Sequence, residues 1–193
     1  QARRQRARVD SEQFGGAGGN IFLAVLAIEE LARVDASAAI YVDVHNTLVN
    51  NCVLRWGSPD IHRKYLPRLS TDMLGAFALS EPASGSDAFA LETKAERKGD
   101  HWELTGRKFW ITNGGEAEFF IVFANTDFSK GYKGISLFVV DTSMPGFSKG
   151  KRLKKIGMKA QDTAELFFDN VKVPASNLLG DEGSGFVYLM QEL

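Results

Sequence analysis

Cysteine is nearly missing from this sequence, and histidine is scarce. Cys52 is the single cysteine among 193 residues, so the chain can form no internal disulfide and no metal site built from cysteines. The three histidines, His45, His62 and His101, are scattered along the chain without the spacing of metal ligands. We therefore expect no metal site in this protein.

Long apolar runs and a strong net charge are also lacking. No apolar run approaches the roughly 20 residues that a membrane-spanning helix needs. The net charge of −1 gives no reason to expect nucleic acid or an anionic membrane as a partner. The hydrophobic fraction of 44% is ordinary for a globular protein, and the length suffices for one large domain or two small ones.

A basic segment and a glycine-rich segment open the chain. Residues 1–8 contain four arginines and no acidic residue, and we interpret residues 1–13 as a basic tail or linker. The end of an arginine-rich targeting segment is the alternative. The glycines within residues 15–19 are interpreted as a flexible entry to a helix. No strand precedes them, and their spacing is not that of a G-x-G-x-x-G nucleotide loop.

Residues 14–72 have the pattern of an α-helical domain. Asn20 is a favourable N-cap for a first helix. Asp35 or Ser37 begins a second helix, and Ser58 begins a third, which is predicted to end at residue 66 because Pro67 follows. The apolar residues of the first helix recur at spacings that place them on one face: Ile21, Val25, Ile28 and Ala32.

From residue 73 to residue 178 the pattern changes to that of β-strands. Trp102 and Leu104 alternate with polar residues after a turn at residues 99–100. Four further runs are aromatic or β-branched and are bounded by turn residues: 109–112, 119–124, 135–140 and 163–173. Several short strands with regular turns predict a β-sandwich or barrel.

The last residues predict another helix. It begins near Phe186, after two glycines, and stops at Leu193 without a cap, so we expect that it is truncated. The predicted fold class is therefore α+β and multidomain, with an N-terminal α-helical domain followed by a middle β-domain.

The stretch over residues 77–87 is the strongest candidate for a functional site. A short apolar strand, residues 75–79, runs into a loop of small residues and hydroxyls that contains Pro82 and Gly85. Such a loop can direct backbone N–H groups and the hydroxyls of Ser80, Ser84 and Ser86 to one point, where a heterocycle, a carbonyl or a phosphate could bind. An ordinary strand-to-loop exit has the same composition, so both interpretations stay open on these residues alone.

One basic cluster, over residues 149–155, contains five lysines and arginines. Most clusters of this kind are solvated faces, and only Phe147 nearby could stack on a base. We therefore expect no nucleic-acid binding.

Four motifs, taken in order and with their spacing, resemble the acyl-CoA dehydrogenases, and most closely the short/branched-chain members. They are Tyr-Leu-Pro-Arg-Leu at 65–69, Leu-Ser-Glu-Pro-Ala-Ser-Gly-Ser-Asp at 79–87, Gly-Arg-Lys-Phe-Trp-Ile-Thr-Asn at 106–113 and Leu-Phe-Phe-Asp-Asn-Val-Lys-Val-Pro at 166–174. The resemblance runs from about Val9 to Leu193. The chain departs from the family pattern at Gln161, because the family usually has a small residue, most often serine, at this position.

The resemblance implies an N-terminal helical domain that is incomplete at its start, a middle β-domain and a C-terminal helical domain. Residues 179–193 would be the start of that truncated C-terminal domain, and the rest of it is missing.

The resemblance also implies FAD as cofactor. Trp110, Ile111 and Thr112 would cover the flavin face away from the substrate, and the Thr112 hydroxyl would lie near N5, the atom that accepts hydride. The residues that would line the flavin from the loop are Phe77, Ala78, Leu79, Ser80, Glu81, Pro82, Ala83, Ser84, Gly85 and Ser86.

Ser86 and Tyr132 match family positions that meet the acyl-CoA. The family's catalytic base is a glutamate of the C-terminal domain, so the base is expected beyond Leu193. Neither Glu81 nor Glu165 matches the motif that carries it. The implied partners are the acyl-CoA substrate, an electron-transfer flavoprotein and further copies of the chain in a homotetramer. The implied location is the mitochondrial matrix in a eukaryote or the cytoplasm in a bacterium.

The resemblance thus implies oxidation of a short or branched acyl-CoA to its 2,3-enoyl-CoA. Two alternatives remain. An acyl-CoA oxidase or a flavin monooxygenase could use the same fold, and a truncated, non-catalytic remnant could serve as an interaction module.

Overall fold

The computed structural model describes residues 12–192, and the predicted basic tail lies almost entirely outside them. Two short 3-10 turns, Glu12–Phe14 and Ala175–Asn177, and a longer one, Phe128–Gly134, lie between the main elements. A π-helical segment, Val44–Asn50, joins the second and third helices into one rod. The α-helices are α1 (Ile21–Val34), α2 (Ala36–Asp43), α3 (Asn51–Trp56), α4 (Pro59–Leu69) and α5 (Gly185–Glu192).

Polar side chains cap the N-termini of three helices, as the sequence predicts. The Asn20 carboxamide oxygen accepts from the Leu23 N–H at 3.0 Å and caps α1. The Asp35 carboxylate accepts from the Ser37 N–H at 2.7 Å, which selects Asp35 over Ser37 as the cap of α2. Ser58 caps α4.

The predicted end of α4 is wrong, because the helix continues through Pro67 to Leu69. A proline in a helix removes one backbone hydrogen bond and crowds the preceding turn. Here Leu66 and Leu69 are both buried, and the Ser70 N–H bonds to the Leu66 carbonyl at 2.9 Å. Packing of the last turn against the core therefore outweighs the local cost of the proline.

Eight strands form one sheet within residues 12–192. They are β1 (Gly75–Ala78), β2 (Lys94–Lys98), β3 (His101–Thr112), β4 (Phe119–Asn125), β5 (Ile135–Asp141), β6 (Phe147–Lys149), β7 (Thr163–Pro174) and β8 (Leu178–Leu179). Their order is β6-β7-β3-β2-β4-β5-β8, with β1 pairing in parallel with β4. β2 and β4 meet through the single pair Lys94–Asn125, so the sheet consists of two halves joined at this point.

The two halves of the sheet enclose one hydrophobic core between them. Trp102 and Leu104 of β3 are buried there, as their alternation predicts, and the Trp102 ring lies 5.4 Å from that of Phe138 on β5. This packing confirms the predicted sandwich-like β-domain. The predicted strand at residues 109–112 is the end of the long strand β3 and not a separate strand.

A second core joins the sheet to the helices. All seven residues of β4 are buried, because one face of the strand packs inside the sandwich and the other packs on the helical domain. Phe119 of β4 meets Tyr65 of α4 with ring centroids 4.9 Å apart. The helical and β parts are therefore held together by a continuous apolar contact. Among residues 12–192, no helix is long and apolar enough to cross a membrane.

Candidate functional site

The loop that follows β1 is folded into a tight turn. The Glu81 N–H donates to the Ser84 carbonyl at 2.8 Å, and the Ser84 N–H donates back to the Glu81 carbonyl at 3.1 Å. Pro82 and Ala83 form the exposed tip, and Gly85 and Ser86 follow at the surface. A Cβ built on Gly85 would meet no atom within 4 Å, so the loop is open to a ligand at that point.

The hydroxyls of the loop do not all point to one place, as they would in the ligand-binding interpretation of this loop. Ser84 is buried, and its hydroxyl donates to the Asp87 carbonyl at 2.9 Å. Ser80 is half-buried and Ser86 is exposed. The Ser84 side chain therefore stabilises the loop, and only Ser80 and Ser86 leave their hydroxyls at or near the surface.

A β-bulge at the end of β3 turns Trp110 outward. The register between β3 and β7 shifts between Lys108 and Ile111, and Trp110 has φ = 59°, which is rare for a bulky residue. The Trp110 side chain is 57% exposed, whereas Ile111 is buried and Thr112 is half-buried. Trp110 and Thr112 thus flank a buried residue and lie on the outer face of the strand.

A backbone hydrogen bond joins this bulge to the loop after β1. The Phe109 N–H donates to the Ser80 carbonyl at 2.8 Å. The sequence-predicted segments 77–86 and 110–112 are therefore brought together. Unusual backbone conformations of this kind are concentrated at functional sites, where the surrounding structure maintains them.

A buried ion pair lies under the loop. The Lys108 ammonium donates to Glu81 Oε1 at 2.7 Å and to the Leu79 carbonyl at 3.0 Å, and both charged side chains are almost completely excluded from water. The Glu81 carboxylate also accepts the N–H groups of Glu92, at 2.6 Å, and Thr93, at 3.1 Å. Glu81 thus faces the interior of the loop rather than its open side.

Burial and the partner charge act in opposite directions on the two pKa values. Desolvation lowers the pKa of Lys108 to about 8, although the charge of Glu81 opposes this change. Burial alone would raise the pKa of Glu81, but Lys108 and the hydrogen bonds from Thr93 and Glu92 outweigh it and hold the pKa below its usual value. Both groups are therefore mainly charged at neutral pH.

Tyr132, the other predicted substrate contact, belongs to an aromatic cluster with Phe89 and Phe186. Phe89 and Phe186 stack at 4.5 Å, and the Tyr132 ring lies 5.6 Å from Phe186 and 6.1 Å from Phe89. Phe89 is 55% exposed, and Tyr132 is 43% exposed. The cluster thus presents an open aromatic surface beyond Ser86, three residues before Phe89 in the chain.

Gln161, the departure from the family pattern, is buried beside Asp162. Its carboxamide oxygen accepts from Lys155 and from the Thr163 hydroxyl. Burial raises the pKa of Asp162, while the Gly115 N–H, at 2.5 Å from Oδ2, opposes the shift. The two partners of Gln161 lie within six residues of it, in the loop before β7 and at the start of β7, so Gln161 has a local role in packing.

Much of the basic cluster at residues 149–155 contacts the protein itself, and Cys52 lies in the core. Three cations of the 149–155 cluster bind backbone carbonyls or a side-chain amide of the protein itself: Lys149, Arg152 and Lys155. Cys52 is fully buried, and desolvation raises the pKa of its thiol well above the ordinary value. No group of three or more potential metal ligands occurs within residues 12–192.

The profile of the acyl-CoA dehydrogenase middle domain matches residues 76–171, which contain the loop, the bulge and the buried ion pair. The profile of the N-terminal domain of the same enzymes matches residues 9–72. The chain belongs to the acyl-CoA dehydrogenase family. The helical and β parts of the fold are those that this family membership implies.

Curated acyl-CoA dehydrogenases resemble almost the whole chain. It is 48% identical over 184 residues to a probable short/branched chain specific acyl-CoA dehydrogenase from Dictyostelium discoideum, covering 95% of this chain and 45% of that protein. It is 44% identical over 181 residues to the mitochondrial short/branched chain specific acyl-CoA dehydrogenase of Bos taurus, covering 94% of this chain and 42% of that protein. The chain thus spans less than half the length of these two relatives.

A solved acyl-CoA dehydrogenase structure also resembles the chain. Butyryl-CoA dehydrogenase from Megasphaera elsdenii superposes with a TM-score of 0.92 at 41% identity, covering 98% of this chain and 51% of that one. This similarity supports the same arrangement of helical and β parts.

Lys108, Phe89 and Phe186 lie at the candidate site, and the sequence interpretation did not select them. Successive side chains of a strand point to opposite faces, and Lys108 lies an even number of residues after Trp102 and Leu104 in β3. This spacing was a signal that the Lys108 side chain points inward. Phe89 stands in an irregular segment, where an exposed aromatic residue is a sign of function. No local signal indicates that Phe186 would stack on it.

Proposed function

We propose that this chain is part of an FAD-dependent enzyme that oxidises a short or branched acyl-CoA to its 2,3-enoyl-CoA and passes the electrons to an electron-transfer flavoprotein. The observation that carries the proposal is the bulge at Trp110. It holds a large aromatic ring open to solvent beside a loop of small residues, within the matched acyl-CoA dehydrogenase middle domain.

The residues present fit a flavin. An exposed indole offers a flat apolar surface on which a planar heteroaromatic ring can stack. The half-buried Thr112 offers a hydroxyl on the same face of the strand, and the open loop at Gly85 allows close approach of a ring to the backbone. Bound FAD would supply the chemistry that accepts hydride, and these residues would bind and orient it.

We propose that the acyl-CoA meets Ser86 and the aromatic cluster of Phe89, Tyr132 and Phe186. This surface lies next to the loop in sequence, and its apolar rings suit the uncharged part of a thioester substrate. The catalytic base is proposed to lie beyond Leu193, because the Glu81 carboxylate is bound by Lys108 and by two backbone N–H groups. The resemblance further supports a homotetramer, and the Bos taurus relative supports a mitochondrial location if the source is a eukaryote.

A comparison of chain 1–193 with the full-length protein tests this function. Flavin absorbance after equilibrium dialysis gives FAD binding, and reduction of an artificial electron acceptor with short and branched acyl-CoA substrates gives turnover. The full-length protein should bind FAD tightly and turn over. Chain 1–193 should bind it weakly and show no turnover, because it lacks the proposed base.

Tight FAD binding with turnover by chain 1–193 would show that the proposed location of the base is wrong. A full-length protein that reacts with oxygen as fast as with the artificial acceptor would instead be an oxidase or a monooxygenase.

Thr112→Val in the full-length protein is expected to lower turnover by up to about tenfold. The change keeps the shape of the side chain and removes one hydrogen-bond donor, worth roughly 0.5–1.5 kcal/mol when buried. If that bond strengthens in the transition state, the loss falls on kcat rather than on KM. Steady-state kinetics would measure it, with Thr105→Val on the same strand as the control. An unchanged kcat with a lower melting temperature would show that Thr112 only packs.

A further inference from the structure

The ion pair of Glu81 and Lys108 is unusual because both charged side chains are almost completely buried. The side chains are 2% and 0% exposed, so each charge has lost nearly all of its hydration. A buried ion pair of this kind gives little net stability, since apolar residues of similar volume would often serve as well. A stabilising role alone therefore explains poorly why two charges occupy this position.

The hydrogen bonds of the pair connect the loop, β3 and the segment before β2. Lys108 holds the start of the loop through the Leu79 carbonyl, and Glu81 accepts the N–H groups of Glu92 and Thr93 in the segment that leads into β2. Lys108 is also the last residue of β3 in regular register before the bulge. The pair thus ties the start of the loop and the segment before β2 to the residue from which the bulge departs.

We propose that Glu81 and Lys108 are positioning residues that set the loop at residues 79–87 against the Trp110 bulge and so shape the flavin site. This inference rests on the proposed function, because it assigns the pair a role toward FAD. Neither side chain contacts the cofactor in this proposal, since both point into the interior. The pair acts through the backbone of the loop and through the strand that carries Trp110 and Thr112.

The test uses Lys108→Met, Glu81→Gln and the double variant in the full-length protein. Each single variant leaves one buried charge without its partner, so its melting temperature should fall by about 4–6 °C in a protein as long as the relatives. The double variant removes both charges and should recover most of that loss. FAD affinity should fall by about tenfold or more in Lys108→Met and in the double variant, because methionine makes no hydrogen bond to the Leu79 carbonyl. It should also fall in Glu81→Gln, because the carboxamide replaces one of the two oxygens that accept from Lys108, Glu92 and Thr93.

Two controls separate positioning from stability. Leu104→Ala removes a fully buried side chain from the same strand and should lower the melting temperature with less than about a twofold change in FAD affinity. The exposed pair on the neighbouring strand, replaced as Lys94→Met with Glu96→Gln, should change neither quantity. A measurement without flavin is amide hydrogen exchange at residues 79–93 and at Phe109, which should accelerate in the double variant.

The double variant decides the matter. Recovered stability with weak FAD binding and faster exchange supports positioning. The proposal is overturned if the double variant recovers its stability and binds FAD with wild-type affinity. It is also overturned if FAD affinity follows melting temperature across all variants, including Leu104→Ala. If the wild-type full-length protein binds no FAD, the proposed function fails together with the inference, whereas normal binding in the wild type and in the double variant refutes the inference alone.

Discussion

Replacing Trp110 by alanine in the full-length protein is expected to weaken FAD binding by roughly seventyfold with little change in the stability of the flavin-free protein. The indole is 57% exposed, so a stacked flavin could cover about 100 Å² of it. At about 25 cal/mol per Å², that contact is worth about 2.5 kcal/mol. Isothermal titration with FAD and thermal unfolding of the flavin-free protein would measure both effects.

Two further variants sharpen this expectation. Trp110→Gly should bind FAD as weakly as Trp110→Ala, while the flavin-free protein is at least as stable, because glycine adopts φ = 59° without strain. Phe22→Ala removes an exposed aromatic side chain from α1 and should leave FAD binding unchanged. If Trp110→Ala instead costs about 3–5 kcal/mol of stability, as for a core aromatic, and FAD affinity is unchanged, the assignment of Trp110 to the flavin is wrong.

Gly106→Ala is expected to destabilise the protein strongly, and more than the Gly→Ala changes at the two other glycines considered below. Gly106 has φ = +155°, and a Cβ there would lie 2.5 Å from Thr93 Oγ1 and 2.7 Å from Thr93 Cα. Backbone strain and overpacking together should cost about 3 kcal/mol. For a chain of this size, the melting temperature should fall by about 6–12 °C, measurable by circular dichroism.

Substitutions at two other glycines separate the cost of backbone strain from the cost of steric overlap. Gly99→Ala meets positive φ but no neighbouring atom within 4 Å, so it should show the strain alone. Gly157→Ala meets neither and should be close to neutral. If Gly106→Ala is no more destabilising than Gly99→Ala, the contact with Thr93 is not the limiting feature of this position.

The elements that depend on neighbouring residues could be predicted from the sequence. The caps at Asn20 and Ser58 are examples, because a capping side chain bonds to an N–H group only three residues away. The alternation of Trp102 and Leu104 predicted the face of β3 that packs in the sandwich. The end of α4 could not be predicted, since the burial of Leu69 depends on residues that are distant in sequence.

The sequence motifs selected residues of the candidate site, but they did not predict the directions in which the side chains point. Continuing the alternation of β3 from Trp102 places Trp110 on the buried face with Lys108, and the bulge reverses this. A bulge depends on the register with β7, which local patterns do not reveal. The motif resemblance identified Trp110 and the loop together. The resemblance did not reveal that the Ser84 hydroxyl and the Glu81 carboxylate turn inward.

The pairing of β3 with β7 has a consequence for the order in which the chain folds. β7 follows β3 only after all of β4, β5 and β6, so the longest ladder of the sheet closes late. The helices contact their neighbours in sequence and can form early. The Trp110 bulge exists only where these two strands pair. Under the proposed function, FAD should therefore bind only after this ladder has closed. Free FAD should therefore act on the finished fold rather than as a template for it.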